Sequence, residues 1–264
     1  MVTAFFSNRH RLLLAAVTIA ASTAMASIAT ADVINVQYPT HNNNSSSVPY
    51  VVYTGTGAAP DTGTFWNQAD DTNGTGTLIA DLKDSQGNAT TVSLSELSSA
   101  VNGQRGQASP AVPNALLDSY LFLAGATSTT PATTDGFTIS GLTPGAQYDL
   151  YLYASDGGLA NGQGAAFTVN GASFGQTGSK TQTSTATSTT IPTSDLGISY
   201  VEGATTADAS GDIAVSFTAN TVSPTNGGIF NGFQLVSVVP EPTDIALFGF
   251  GALGLLFLRR RKSA

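Results

Sequence analysis

The chain has 264 residues, with 17 acidic and 9 basic side chains, a formal net charge of −8 and no cysteine. Without cysteine it forms neither disulfides nor thiolate metal sites, and it has no thiol nucleophile. Residues 32–237 hold 15 acidic and only 3 basic side chains, a net charge of −12. Such a surface repels nucleic acid and anionic lipid headgroups, so nucleic acid is excluded as a partner.

Residues 1–31 are predicted to form a signal peptide. Arg9 and Arg11 lie in a short basic region, and residues 12–21 are an apolar stretch too brief to span a bilayer. Small residues follow, and Ala-Thr-Ala at 29–31 predicts cleavage after Ala31. Residues 24–26, Ala-Met-Ala, are a second possible site, and an uncleaved N-terminal anchor is the less favoured alternative.

Residues 32–237 are predicted to form one exported domain that is all-β. Ile34 and Val36 alternate with Asn35 and Gln37, as expected for a strand with two different faces. The turn-forming residues 84–88 predict a hairpin. About nine to eleven such short runs favour a single antiparallel β-sandwich, jelly-roll-like in type. Only residues 115–124 fit a short helix as well as a strand.

The exported part offers little for catalysis. His41 is its only histidine, and the surrounding run His-Asn-Asn-Asn-Ser-Ser-Ser has no apolar side chain to hold an imidazole in a catalytic triad. The two glutamates, Glu96 and Glu202, lack the aromatic neighbours typical of glycosidase carboxylates. We therefore expect no enzyme activity and assign no catalytic residue.

Two acidic turns are candidates for a calcium site. Asp71 and Asn73, in the run Asp-Asp-Thr-Asn-Gly, place side-chain oxygens near a turn glycine, and so do residues 208–212. Neither has the closing bidentate glutamate of a twelve-residue calcium loop. The same residues are preferred in any β-turn, so we favour ordinary turns and expect no other cofactor.

Trp66, the single tryptophan, stands next to Asn67 after a run rich in glycine and threonine. An exposed aromatic ring beside an amide is suited to stacking on a sugar while binding its hydroxyl groups. The alternative is a core aromatic residue that closes one end of the sandwich. In a β domain with one tryptophan we favour the core position.

The C-terminal residues form three parts in a fixed order. Pro240, Glu241 and Pro242 come first, 14 apolar residues follow at 245–258, and Arg259, Arg260, Arg261 and Lys262 come after them. The apolar part predicts a transmembrane helix of about 21 Å, short of a hydrocarbon core of about 30 Å. Positive flanks stay in the cytoplasm, so the body would lie outside it, with the basic residues as a stop-transfer tail.

This arrangement resembles the PEP-CTERM sorting signal of Gram-negative bacteria, over residues 238–264. The resemblance implies an exosortase as partner, transient anchoring in the inner membrane with a cytoplasmic C-terminus, and removal of the signal near Pro-Glu-Pro. The body would then reach the cell surface or an extracellular exopolysaccharide matrix. Asp244, between the motif and the apolar run, departs from the usual pattern and shortens the apolar part.

The body carries a second resemblance. Residues 34–37, 142–153 (Leu-Thr-Pro-Gly-Ala-Gln-Tyr-Asp-Leu-Tyr-Leu-Tyr) and 231–235 (Asn-Gly-Phe-Gln-Leu) are similar to galactose-binding and malectin-like β-sandwich modules. A similar turn and strand occur in fibronectin type III folds. Two hypotheses follow: a structural matrix protein without a discrete ligand, or a carbohydrate-binding module that tethers surface polysaccharide. A buried Trp66 favours the first, and an exposed Trp66 the second.

Overall fold

The structure, a computed structural model, describes residues 32–38, 52–61, 63–69, 78–96, 114–118, 120–127, 129, 131–155, 163–178, 184–222 and 224–238. The chain divides into two compact units, and all described residues belong to the unit Asp32–Val238. The predicted signal peptide and the predicted transmembrane helix lie outside the described residues. Within those residues, no helix is long and apolar enough to cross a bilayer.

Thirteen strands are present in the described part of the chain. In chain order they are β1 (Val33–Gln37), β2 (Asn67–Gln68), β3 (Leu78–Ile79), β4 (Ser93–Glu96), β5 (Leu121–Leu123), β6 (Thr134–Ser140), β7 (Gln147–Tyr153), β8 (Ala165–Val169), β9 (Ala172–Gln176), β10 (Tyr200–Thr206), β11 (Ile213–Ala219), β12 (Gly228–Phe230) and β13 (Gly232–Ser237). Two short 3-10 helices, Thr193–Asp195 and Pro224–Asn226, lie between strands.

The strands form two large sheets and one small one. The five-stranded sheet has the order β10-β7-β13-β1-β2, the six-stranded sheet the order β3-β4-β6-β11-β8-β9, and β12 pairs with β5. The predicted all-β class with antiparallel sheets is confirmed. One pair differs from the prediction, because β2 runs parallel to β1.

The main hydrophobic core lies between the two large sheets. Alternate residues of β1, β7 and β13 meet alternate residues of β4, β6, β8 and β11 there, as in a sandwich of facing sheets. The ring of Phe137 in β6 stacks 5.1 Å from that of Phe233 in β13, with an angle of 13° between the rings. Such contacts tie the sheets together through apolar burial and aromatic packing.

The turns follow the predicted local chemistry. Residues 84–88 close the hairpin between β3 and β4, with a hydrogen bond from the N–H of Gly87 to the carbonyl of Asp84. The Thr-Pro-Gly turn precedes β7, and Gly145 takes a φ of +72° that favours glycine. Of the ambiguous residues 115–124, those that the structure describes form a turn at 115–118 and then β5, and none of them is helical.

Strands β1 and β13 lie inside the five-stranded sheet and are buried on both faces. Asn35, Gln37 and Gln234 belong to the face turned away from the main core, yet they too are buried. The sequence pattern predicted a solvent-facing side for the polar residues of β1. The structure shows a covered side instead, because other parts of the chain pack over this face.

Candidate functional site

The outer face of the five-stranded sheet carries a second apolar cluster, here called the outer cluster. Its members come from β7 and β10 and from segments that pass over the sheet: Tyr53, Trp66, Leu116, Leu117, Tyr153, Ala186, Ile191 and Tyr200. Tyr153 and Tyr200 are paired across the two strands and alternate with residues of the main core. This part of the outer face is therefore filled by the chain's own side chains.

Trp66 lies in the middle of the outer cluster. Its indole is 3% exposed and meets the ring of Tyr53 edge to face at 5.2 Å. The indole N–H donates to the carbonyl of Gly55 at 3.0 Å. This is the core position that the sequence analysis favoured, and the exposed orientation needed for stacking on a sugar is not the one that the structure shows.

Asn67 also faces inward, and its side chain is used within the domain. The Nδ2 group donates to the carbonyls of Asn35 at 2.9 Å and Lys83 at 2.7 Å, and Oδ1 accepts from the N–H of Lys83 at 2.9 Å. One bond ties Asn67 to β1, and the other two tie it to Lys83, in the segment that leads into the 84–88 turn. The amide thus has a structural task, and it does not project from the surface beside Trp66.

A chain of buried amides runs beneath the outer cluster. Gln234 Oε1 accepts from the Tyr153 hydroxyl and from the N–H of Ala59 at 3.0 Å. Gln234 Nε2 donates to Asn35 Oδ1 at 2.8 Å, and the Tyr153 hydroxyl accepts from the N–H of Ala58 at 2.7 Å. These polar groups therefore stabilise the position of the covering segment 52–61, because buried donors and acceptors need partners.

The phenols of the outer cluster are hydrogen-bonding groups at physiological pH. Burial raises the pKa of Tyr153 well above its ordinary value of 10, although the hydrogen bond from Ala58 acts to lower it. Burial, followed by the nearby Glu202 carboxylate, raises the pKa of Tyr200 to about 12. Both hydroxyls are therefore protonated at neutral pH. Proton abstraction would require the phenolate form, which these residues do not adopt at that pH.

A buried carboxylate fixes another covering segment. Asp195 is fully buried and accepts hydrogen bonds from the Ser184 hydroxyl, the Thr185 N–H and the Ser199 hydroxyl. These bonds tie residues 184–185 to the 3-10 helix that precedes β10. Charge-assisted bonds of this kind compensate the cost of burying the carboxylate.

The acidic turn at 208–212 is held by its own backbone. Asp208 Oδ1 accepts from the N–H groups of Ser210 at 2.7 Å and Asp212 at 3.0 Å, as in an ordinary turn capped by aspartate. Among the described residues, no group of three His, Cys, Asp or Glu side chains is arranged to hold a metal ion. Asp71 and Asn73 lie outside the described residues, as does His41, so the calcium site is still a prediction.

The two ends of the domain meet at one edge of the five-stranded sheet. Val33 at the start of β1 pairs with Val236 near the end of β13. The N–H of Asp32 donates to the Ser237 hydroxyl at 2.8 Å, and the Ser237 N–H donates to the carbonyl of Asp32 at 3.0 Å. The Val238 N–H donates to the carbonyl of Gln147 at 3.1 Å, so the folded body continues to Val238.

Comparison with known families identifies a motif in the segment that starts at Val238. Residues 238–262 match the PEP-CTERM protein-sorting motif. The chain carries a PEP-CTERM motif. The match spans Pro240, Glu241 and Pro242 and the basic residues from Arg259 to Lys262.

Other comparisons address the body. No curated protein matches the chain. The chain is similar to a solved structure, the native structure of a family 35 carbohydrate binding module from Clostridium thermocellum. The two are 16% identical with a TM-score of 0.23, and the similarity covers 45% of this chain and 88% of that one.

The PEP-CTERM motif indicates an exported protein that is sorted through the membrane, as the sequence analysis expected. Residues 239–262 of the match, and the predicted cleavage site at Ala31, lie outside the described part. Sequence reasoning missed the buried amides Asn35, Gln37 and Gln234. The sequence does show these amides at alternate positions, between apolar residues that face the main core. That pattern does not distinguish a face exposed to solvent from one covered by other parts of the chain.

Proposed function

We propose that the chain is an exported cell-surface or extracellular-matrix protein sorted by an exosortase, with a non-catalytic β-sandwich as its body. The observation that carries the proposal is the PEP-CTERM match at 238–262, which begins where the folded body ends at Val238. In this proposal residues 1–31 are removed after Ala31, residues 245–258 hold the chain in the inner membrane, and the basic tail stays in the cytoplasm. The exosortase then acts near Pro240.

A structural role for the body is supported by its interior. Two large sheets share one core, and the outer cluster covers part of the other face of the five-stranded sheet with the chain's own side chains. Trp66, Asn67 and Gln234 are all engaged in internal hydrogen bonds. In this proposal the domain has no catalytic role.

The alternative function is a carbohydrate-binding module of galactose-binding or malectin-like type. One observation favours it: at the margin of the outer cluster, against which it packs, Tyr151 is half-buried and pairs with the exposed Glu202 across β7 and β10. An aromatic ring beside a carboxylate is suited to a sugar ring and its hydroxyls. A polysaccharide would contact the exposed side of Tyr151 and Glu202, and not the buried Trp66.

Replacement of Arg259, Arg260, Arg261 and Lys262 by glutamine tests the sorting proposal. We expect weaker membrane retention and slower C-terminal processing, because the cationic flank that fixes the orientation is lost. The matched control replaces the body residues Arg105 and Lys180 by glutamine. Cell fractionation and mass spectrometry of the mature C-terminus are the measurements, and normal retention and trimming of the tail variant would contradict the proposal.

Titration with the organism's own surface polysaccharide separates the two roles of the body. Binding that saturates in isothermal titration calorimetry, and that is lost in Tyr151→Ala, supports the carbohydrate-binding module. The control variant is Ser188→Ala, because Ser188 is exposed. Tyr148→Ala is not used as a control, because Tyr148 is buried in the core. A flat titration leaves the structural role.

A further inference from the structure

Beside the outer cluster, β7 and β10 carry four side chains here called the acidic margin: Asp149, Tyr151, Glu202 and Ala204. Asp149 and Tyr151 are two residues apart on β7, so they lie on the same side of the sheet, opposite to the core residue Leu150. In the register of the two strands, Tyr151 is opposite Glu202, and Asp149 is opposite Ala204. The four side chains therefore form one patch on the outer face.

The acidic margin is accessible from solvent. Glu202 and Ala204 are exposed, and Asp149 and Tyr151 are half-buried. The ring of Tyr151 packs against the outer cluster, where its centroid is 6.2 Å from that of the Tyr200 ring. Since Ala204 has only a methyl group, no long side chain of β10 fills the space opposite Asp149. The domain thus holds the Tyr151 ring in place and leaves part of it free to meet a ligand.

Two carboxylates give this patch its charge. Burial raises the pKa of the Tyr151 phenol, and the charges of Glu202 and then Asp149 raise it further, so both carboxylates act on this phenol. Lys83 is the one basic side chain in the described part of the chain, and its Nζ lies 5.3 Å from the centre of the Phe65 ring. Within that part no cation neutralises the margin, and the net charge of −12 over residues 32–237 adds to its negative potential.

An aromatic ring beside two carboxylates suits a sugar that carries an ammonium group. The face of the ring can stack on a sugar, and it also attracts a cation. Carboxylates accept stronger hydrogen bonds from an ammonium group than from a neutral hydroxyl, because these bonds are charge-assisted. The same carboxylates repel the acid groups of uronic sugars. The charge of the margin therefore favours amino sugars over neutral and acidic ones.

A basic peptide is the other polycation that this charge attracts. Extended peptides often bind β domains by pairing with a free sheet edge, and β10 is an edge strand. Its edge is occupied, because Asn170 Nδ2 donates to the carbonyl of Thr206 at 3.0 Å. The ring of Phe174 also lies against β10, since a Cβ added to Gly203 would meet it at 3.0 Å. A ligand of the margin would thus contact side chains on a sheet face, which favours a sugar over a peptide.

We propose that the acidic margin binds a polysaccharide with free amino groups, such as a partly de-N-acetylated polymer of glucosamine. Tyr151 provides the stacking surface, and Glu202 and Asp149 bind the ammonium groups. The inference rests on the alternative of the proposed function, in which the body is a carbohydrate-binding module, and it adds the chemical class of the sugar.

Oligosaccharides that differ in their amino groups test the proposal. The full-length chain in a non-ionic detergent is titrated calorimetrically with glucosamine oligomers and with N-acetylglucosamine oligomers of equal length. We expect saturable binding of the glucosamine oligomer, about tenfold tighter than that of the acetylated one, because two exposed charge pairs are gained. Added salt should reduce this difference.

Glu202→Gln and Asp149→Asn each remove one charge and keep the size of the side chain. We expect each to weaken glucosamine binding about two- to fivefold and to leave the binding of the acetylated oligomer unchanged. Asp81→Asn, an exposed change between β3 and β4, is the matched control and should bind as the wild type does. Equal unfolding midpoints of all variants would show that the substitutions act on binding and not on folding.

Equal affinity for the two oligomers, or equal weakening by Asp81→Asn, would overturn the amino-sugar site and leave the carbohydrate-binding function standing. Oligolysine that binds as tightly as the glucosamine oligomer, and is weakened by the same two substitutions, would show a basic-peptide site instead. Failure to bind both the glucosamine oligomer and the organism's own surface polysaccharide would overturn the carbohydrate-binding function and the inference with it.

Discussion

Asp84 closes the hairpin between β3 and β4 with its side chain as well as its backbone. Its Oδ1 accepts from the N–H groups of Gln86 at 2.9 Å and Asn88 at 2.8 Å, and its Oδ2 accepts from Asn88 Nδ2 at 2.9 Å. Partial burial acts to raise the pKa of this carboxyl, but the hydrogen bonds together lower it below its ordinary value. The turn therefore prefers the ionised form.

Asp84→Asn is expected to make the domain less dependent on pH in the acid range. A carboxyl whose pKa is lower in the folded state stabilises the fold above its unfolded pKa, and this contribution is lost as pH falls through the folded pKa. At pH 7 the variant should lose no more than about 1 kcal/mol, typical for a weakened hydrogen bond. Thermal unfolding between pH 7 and pH 2.5 measures both effects.

The exposed Asp81→Asn is the matched control for this experiment, three residues upstream in the same hairpin. A difference between wild type and Asp84→Asn that stays constant down to pH 2.5 would show that the carboxylate does not act through its charge. A difference that shrinks to zero in acid is the predicted outcome.

At the same scale, the sequence predicted some residue positions and not others. The alternation of β1 predicted which way Ile34 and Asn35 point, because side-chain direction follows from strand geometry alone. It did not predict that Asn35 is buried, because that depends on segments distant in the chain. Trp66 was placed in the core from its residue type, and its partners Tyr53 and Gly55 come from a run rich in glycine that has no strand pattern.

Among the elements, the segment 52–61 decides whether the outer face of the five-stranded sheet is open. It lies directly on the amide of Gln234, and a Cβ atom at Gly57 would come within 1.9 Å of Gln234 Oε1. Gln234 cannot give way easily, since its amide binds Tyr153, Ala59 and Asn35. Glycine is needed here for close approach of the backbone.

Gly57→Ala should therefore displace the covering segment from the sheet. Overpacking of this kind costs about 1–3 kcal/mol, and the released segment would expose Trp66 to water. We expect a lower unfolding midpoint, a red-shifted tryptophan emission and faster proteolysis at 52–61. Gly171→Ala is a useful comparison, because nothing lies within 4 Å of its added Cβ, and only the strain of its +77° φ acts there.

The same tryptophan emission in wild type and Gly57→Ala would show that the segment tolerates the added methyl group in place. That result would contradict the requirement for glycine at position 57. A red shift without loss of secondary structure by circular dichroism would instead identify 52–61 as a separable cover over an intact sheet.

The strands themselves were the best predicted elements. The run with period-two alternation at residues 34–37 became β1, which appears where the sequence placed it. The parallel pairing of β2 with β1 was not foreseen, because a two-residue strand has no periodicity to read. Pairing partners depend on contacts between distant segments, which local patterns do not contain.

For the molecule as a whole, the position of β13 links folding to the sorting motif. The strand lies between β7 and β1, so the five-stranded sheet is complete only when the last strand before the motif has joined the first strand of the body. Export of residues up to Ser237 is thus required before the sheet can close. The PEP-CTERM match begins one residue later, at Val238.

Truncation shows whether the body is complete without the motif. A chain of residues 32–238 should unfold at the same temperature as the exported body with residues 239–264 still attached, because every described hydrogen bond of β13 is kept. A chain of residues 32–231 lacks β13 and should not fold. It loses the central strand of the sheet and the buried side chains of Phe233 and Leu235. Burial of each side chain contributes about 1.5–3 kcal/mol, whereas the whole free energy of unfolding of a domain is about 5–15 kcal/mol. Circular dichroism and Trp66 emission during heating measure both chains, and cooperative unfolding of 32–231 would mean that the sheet closes without its central strand.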